Sequence, residues 1–159
     1  MALKYLENSY VTLDSANKYF ADRVGASTWV ALSNDEKEDL LVTATRTLDQ
    51  EIWTGVAVST SQLLAWPRSG SYYEPKQGYQ VSLDETSAPL RVQEATFELA
   101  LHYMGNPDSL KTSSSVDSLK VGSIELTGIR ASSKTPSTSK TLYKPLLVSG
   151  GSHEVWRAW

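Results

Sequence analysis

The hydrophobic pattern is strongest in residues 89–104, where apolar side chains recur at helical spacing on two faces. A helix that is apolar around most of its circumference is buried among several neighbours, so we expect this one to form the centre of the core. Ser87 and Pro89 suit its start, and Gly105 suits its end. The two faces consist of Val92, Ala95, Leu99 and Tyr103, and of Leu90, Phe97, Leu101 and Met104.

Two amphipathic helices are predicted before this one. Thr12 can cap the first, which is predicted to continue to about Val24, and a short turn that contains Trp29 follows it. Ser33 and Glu36 have the spacing of a capping box, which starts a second helix that continues to Ile52. Three helices of this kind predict a small bundle. The apolar stripes of the first two are Ala16, Phe20 and Val24, and Leu41, Ala44, Leu48 and Ile52.

The connection over residues 54–87 is longer than the usual link between bundled helices, and it is rich in aromatic side chains. Its most distinctive run is Leu-Ala-Trp-Pro-Arg-Ser-Gly at residues 64–70. One interpretation is that Trp66 folds back and covers the open side of the bundle. The other is an intersubunit anchor, because Trp and Arg dominate the energetics of interfaces. The candidate anchor residues are Trp66, Arg68, Tyr72 and Tyr73.

The chain changes character after the third helix. Residues 119–126 alternate with the period of a strand, within a predicted β-strand or hairpin segment at 109–130. Residues 131–140 are low in complexity and are interpreted as a flexible linker to an arm that ends in two tryptophans. The predicted fold is mainly α: a helical bundle domain (residues 1–108) with a long aromatic loop, a short β segment, and a linker with an extended C-terminal arm (131–159).

Composition narrows the chemistry that the chain can perform. It has no cysteine and only two histidines, so no metal site is expected, and no phosphate loop or nucleophile motif is present. We therefore expect a protein that is not an enzyme and needs no cofactor. A formal charge of −3 is unusual for a protein that binds phosphates. No apolar run approaches the ~20 residues of a membrane span and no secretory leader is visible, so no membrane partner is expected.

Several stretches resemble a family of phage proteins labelled DnaT-like single-stranded DNA-binding proteins. The resemblance lies in TLDSANKYFADR, in TWVALSNDEKEDLLVTATRTLDQEIWTG and in LAWPRSG, and it extends over most of the chain. By architecture, that family is similar to the head-to-tail adaptors, or head completion proteins, of tailed phages. The resemblance implies a bacteriophage virion protein at the head-tail junction, made in the cytoplasm of the host bacterium.

The leading hypothesis from this resemblance is a structural adaptor. It would form a homo-oligomeric ring, of twelve subunits by analogy, that joins the portal protein to a downstream tail or neck protein. Double-stranded DNA would pass non-specifically through the channel, whose lumen could be lined by the acidic residues Asp35, Glu36, Glu38 and Asp39. The residues expected to bind the portal are Leu142, Tyr143, Leu146, Leu147, Val155, Trp156, Arg157 and Trp159.

Two other functions remain open from the sequence. The first is single-stranded DNA binding, in which Trp66, Tyr72 and Tyr73 would stack on bases while Arg68 and Lys76 contact phosphates. The acidic balance of the chain counts against it. The second is a regulatory or chaperone-like phage protein that binds a partner peptide.

Overall fold

The protein is a mainly α domain, as the sequence predicts. The structure, a computed structural model, describes residues 2–107 and 136–148. In that part of the chain the helices are α1 (Leu13–Ala21), α2 (Ser27–Ala31), α3 (Asn34–Leu48), α4 (Leu90–Gly105) and α5 (Ser137–Tyr143), and a 3-10 turn at Lys144–Leu146 follows α5. The β segment predicted at 109–130 lies outside the described residues.

Both predicted N-caps are confirmed, but both helices end earlier than predicted. The side chains of Thr12 and Ser33 cap α1 and α3, each within a capping box. Because α1 ends at Ala21, Val24 lies beyond it and is 91% exposed, and Ile52 likewise lies beyond α3. The predicted turn around Trp29 is the short helix α2, and its indole is buried against Phe20 with 4.3 Å between the ring centroids.

Helix α4 is the centre of the core, as its pattern predicts. Its apolar stripe is buried, and it packs against α3 and α5. Its start differs from the prediction, because the hydroxyl of Ser87 donates to Asp84 and Pro89 occupies the N-cap position without a side-chain bond. Leu90 is exposed, since it lies in the first turn before the helix enters the core.

The polar strip of α4 is tied to α1. The buried carboxylate of Glu98 accepts hydrogen bonds from the Tyr19 hydroxyl (2.6 Å) and from the guanidinium of Arg23 (2.6 Å). Burial raises the pKa of this carboxyl, but the two hydrogen bonds outweigh it and the net shift is downward. Glu98 therefore stays ionised and joins the two helices.

The long connection at residues 54–87 is not a loop, because it folds into two small antiparallel sheets. Strands β1 (Val56–Ala57) and β2 (Arg68–Ser69) form one, and β3 (Ser71–Glu74) and β4 (Tyr79–Ser82) form a hairpin. The two sheets meet where Gly55, at φ +73°, lies so close to Ser69 that a Cβ atom would be 2.3 Å from its carbonyl oxygen. Only glycine fits this approach.

The predicted linker and arm are also corrected over residues 137–147. Helix α5 and the 3-10 turn belong to the bundle, where the side chains of Tyr143 and Leu146 are fully buried. The Ser139 hydroxyl donates to the backbone oxygen of Ala95 (3.0 Å), and the ring of Tyr143 packs edge-on against Trp53. These contacts pack α5 against α4 and against the segment that follows α3.

Candidate functional site

Trp66 and Arg68, the most prominent candidates in the sequence, are both occupied by the fold. Trp66 has no exposed surface and packs edge-on against Trp53, with 5.5 Å between ring centroids. This confirms that Trp66 covers the bundle. The guanidinium of Arg68 donates to three backbone carbonyl oxygens, those of Thr54 (2.7 Å), Gly55 (2.7 Å) and Ala65 (3.2 Å). Neither side chain is available to stack on a base or contact a phosphate.

Asp49 fixes this segment against the bundle, a role that the hydrophobic pattern does not predict. Its carboxylate accepts hydrogen bonds from the Tyr10 hydroxyl and from the backbone N–H of Ala65 (2.6 Å). Burial, followed by the hydrogen bond to Asp49, raises the pKa of Tyr10. The residue just after α3 therefore positions the start of the Trp66 segment.

The β3–β4 hairpin has an inner face that packs on α4. Arg91 of α4 donates to both carboxylate oxygens of Glu74, one of them at 2.7 Å, and the Tyr72 hydroxyl donates to the same carboxylate (2.8 Å). The hydrogen bonds from Arg91 are the main cause that lowers the pKa of Glu74 to about 2. Arg91 also donates to the backbone oxygen of Leu142 (3.0 Å), so it joins the hairpin to the end of α5.

The outer face of the hairpin is exposed and carries no charge. The strand register pairs Tyr73 with Gln80 and Ser71 with Ser82, and all four side chains are exposed. We call these four residues the outer face. Tyr73 is 54% exposed, and its hydroxyl reaches towards the turn at Gly78.

Two more exposed side chains flank the outer face. Lys76 lies in the turn between the strands and has no ion-pair partner among the described residues. Tyr79 is exposed to a similar extent, 59%, but it pairs with Glu74 and so belongs to the other face. The hairpin therefore presents one tyrosine on a neutral face and a second tyrosine on the face that carries a carboxylate, and the backbone N–H of Lys76 in the turn donates to that carboxylate (3.0 Å).

A groove separates the inner face of the hairpin from the start of α4. It has two adjoining cavities of about 240 and 350 Å³, both lined by Tyr72, Val81 and Leu90. The charged residues that line the first are Glu74, Glu94, Arg91 and Lys76, and Asp84 lines the second. The lining carries three carboxylates against two cations, so this groove is less favourable for a phosphate backbone than the neutral outer face.

Two of the four acidic residues at the start of α3, Glu36 and Glu38, have structural partners. Glu36 accepts from the backbone N–H of Ser33 (2.8 Å) and from its hydroxyl, which lower its pKa, and Glu38 accepts from the backbone N–H of Leu3 (3.1 Å). Over residues 2–107 and 136–148, no group of acidic or histidine side chains could hold a metal ion. No helix in those ranges is long and apolar enough to cross a membrane.

The residues predicted to bind the portal fall into two groups. Tyr143 and Leu146 are buried in this chain's own core, and Leu142 and Leu147 are half-buried against it. The first two are therefore unavailable to another protein while the domain is folded. The others lie outside the described residues: Val155, Trp156, Arg157 and Trp159.

Comparison with protein families shows which family the chain belongs to. The model of the family described as "Putative DnaT-like ssDNA binding protein" matches residues 4–158, so the chain belongs to this family. No curated protein and no solved structure matches it.

The family assignment corrects the leading hypothesis from the sequence. Its description names single-stranded DNA and not a head-to-tail adaptor, so the predicted ring under a portal is wrong, together with its tail partners and double-stranded DNA channel. An aromatic connection and an apolar C-terminal segment are also expected of a subunit that its neighbours complete. In the structure much of that loop and segment complete the core of one chain.

Proposed function

We propose that this protein binds single-stranded DNA through the outer face of the β3–β4 hairpin, with Tyr73 as the stacking platform. The observation that carries the proposal is the exposed ring of Tyr73 on a neutral face, with Lys76 in the adjoining turn. The family description supports the same ligand. The protein would bind the strand without transforming it.

Stacking on Tyr73 favours an unpaired strand over a duplex. An aromatic side chain gains about 1–3 kcal/mol per base when it stacks on a base face, and every base has such a face. In a duplex these faces are covered by neighbouring base pairs. A ring that protrudes from a hairpin can reach a base only when the base is unstacked, so the ligand is expected to be single-stranded.

The charge distribution makes stacking the larger part of the affinity. The chain has a formal charge of −3, and Arg68 and Arg91 are held by the fold. Lys76 is the cation closest in the chain to the outer face, and one phosphate contact changes the logarithmic salt slope by only about 0.7 for a single strand. We therefore expect binding that depends weakly on salt.

The test is a titration of fluorescently labelled oligothymidine of about twelve nucleotides, followed by anisotropy. We expect Tyr73→Ala to weaken binding about tenfold, from the loss of one stacked base. The matched control is Tyr79→Ala, which removes the same side chain, similarly exposed, from the opposite face. That variant should bind within about twofold of the wild type, since it leaves the stacking ring in place.

If the proposal is correct, Tyr73→Ala loses affinity for the oligonucleotide and Tyr79→Ala does not. Equal losses in both would show that the outer face is not the binding surface. Normal binding by Tyr73→Ala, or binding of duplex DNA as tight as that of the single strand, would also contradict the proposal. Circular dichroism of each variant verifies that the helices are intact.

A further inference from the structure

The outer face contains a side chain that could distinguish one base from another. We propose that Gln80 makes adenine the preferred base at the Tyr73 platform. This inference rests on the proposed function, because it needs a base to stack on Tyr73. It adds a specificity that stacking alone does not provide, since stacking accepts any base.

The hydrogen-bond register brings Gln80 close to Tyr73. The backbone N–H of Leu83 donates to the oxygen of Gly70 (2.8 Å), which makes that pair a hydrogen-bonded one. Hydrogen-bonded and non-hydrogen-bonded pairs alternate along an antiparallel ladder, so the Tyr73–Gln80 pair three residues further on is non-hydrogen-bonded. In pairs of this kind the Cα atoms are only about 4.5 Å apart and the side chains are closest.

The amide of Gln80 can therefore reach the edge of a base that stacks on Tyr73. It offers a donor N–H beside an acceptor oxygen. The other two residues of the outer face, Ser71 and Ser82, carry hydroxyls that donate or accept and so select no base. An arginine or lysine would favour guanine, but none of the four positions of the outer face is charged.

Adenine matches this amide better than the other bases. It presents a donor N6–H beside an acceptor on both of its open edges, with N1 on one and N7 on the other. Guanine has two neighbouring acceptors, O6 and N7, on the corresponding second edge, which leaves the amide oxygen unpaired. Pyrimidines offer one such edge and a smaller ring. A stacked adenine can thus pair with Gln80 through either open edge, whereas guanine and the pyrimidines can do so through one edge only.

The experiment compares oligothymidines that carry adenine, guanine or unsubstituted purine at a few spaced positions. Unsubstituted purine keeps the stacking surface of adenine and lacks only the N6 amino group. We expect the wild type to bind the adenine oligonucleotide about fivefold more tightly than the purine and guanine ones. In Gln80→Ala the three affinities should become equal. Gln77→Ala, a glutamine in the exposed turn of the same hairpin, is the matched control and should keep the preference.

The outcomes separate this inference from the proposed function. If the wild type binds all three oligonucleotides equally, or if Gln80→Ala keeps the adenine preference, the role of Gln80 is refuted. In both cases a loss of binding in Tyr73→Ala would leave the proposed function standing. If the wild type binds none of the oligonucleotides, the proposed function and this inference both fail. Unfolding curves of both glutamine variants establish that they are folded.

Discussion

Two neighbouring parts of one connection use similar residues in opposite ways. Trp66 and Arg68 lie just before β3, and Tyr73 and Lys76 lie in the hairpin, so each part offers an aromatic ring and a cation a few residues apart. In the first part the ring is buried and the cation is bound to backbone carbonyls. In the second part both side chains are exposed.

The difference shows that residue type alone does not identify a binding site. Trp and Arg are among the commonest interface hot spots, and for that reason an intersubunit anchor at Trp66 and Arg68 is one interpretation of the sequence. A large ring and a guanidinium with several donors are equally effective at closing a core and satisfying backbone oxygens. The pair with the weaker signal in the sequence, Tyr73 and Lys76, is the one that the fold leaves available.

The largest expected effect is on stability, from Trp66→Ala. Removing a fully buried indole should lower the free energy of unfolding by about 3–5 kcal/mol, measured by urea denaturation. Trp66→Phe should cost much less, since the buried Nε1 of Trp66 has no hydrogen-bond partner within residues 2–107 and 136–148 that the substitution would remove. If Trp66→Ala were as stable as the wild type, Trp66 would not belong to the core.

The next effect concerns the ion pair behind the hairpin. Arg91→Met leaves the nearly buried carboxylate of Glu74 unpaired and should lower the free energy of unfolding by about 3 kcal/mol, and the double variant with Glu74→Gln should recover part of that loss.

The same ion pair makes stability depend on pH. In the wild type the pKa of Glu74 in the folded state lies below that in the unfolded state, so the unfolded chain binds protons first. Unfolding free energy should therefore fall as the pH decreases from about 5 towards 2. Urea titrations across this pH range test the expected decrease. A contribution of the ion pair to the free energy of unfolding that does not change with pH would contradict the prediction.

A smaller loss of stability is expected for Arg68→Met. The substitution keeps an apolar stem but removes all the donors to the carbonyls of Thr54, Gly55 and Ala65. Partial access of water to these oxygens limits the cost to about 2 kcal/mol. The affinity of the folded protein for DNA should not change. Anisotropy titrations at low temperature and without denaturant would show this. A specific loss of DNA binding without a loss of stability would return Arg68 to the binding surface.

The smallest effect is expected for Lys76→Met. This exposed turn residue should change the free energy of unfolding by less than about 0.5 kcal/mol. It should reduce the slope of log affinity against log salt by about 0.7, the value for one phosphate contact on a single strand. Lys18→Met, which removes an exposed lysine on α1, is the matched control and should leave the slope unchanged. Equal slopes in the wild type and Lys76→Met would exclude this phosphate contact.

Most of the helical core could be predicted from the sequence, because its signals are local. The caps at Thr12 and Ser33 and the apolar stripe of α4 each act within a few residues, and the structure confirms them. The ends of α1 and α3 could not be predicted in this way. The chain just after α3 is held by non-local pairing, such as the bond from the backbone N–H of Val148 to the oxygen of Ile52, which a local pattern does not reveal.

The candidate site was less predictable, for a similar reason. Tyr72 and Tyr73 are adjacent and chemically identical, and the sequence groups them together. Only the strand register shows that Tyr72 faces Glu74 and α4 while Tyr73 faces outwards. The strand pattern of 71–74 and 79–82 is too short and too polar to establish this alternation without the contact to Arg91.

The packing of α5 has a consequence for the speed of folding. The Tyr143 hydroxyl donates to Glu51, 92 residues earlier in the chain, and its ring packs against Trp53. A mainly helical domain usually folds fast because its contacts are local. Here the core is complete only when two segments far apart in the chain have met, and the entropy of closing so long a loop opposes that encounter. We expect this protein to fold more slowly than a simple bundle of the same helices.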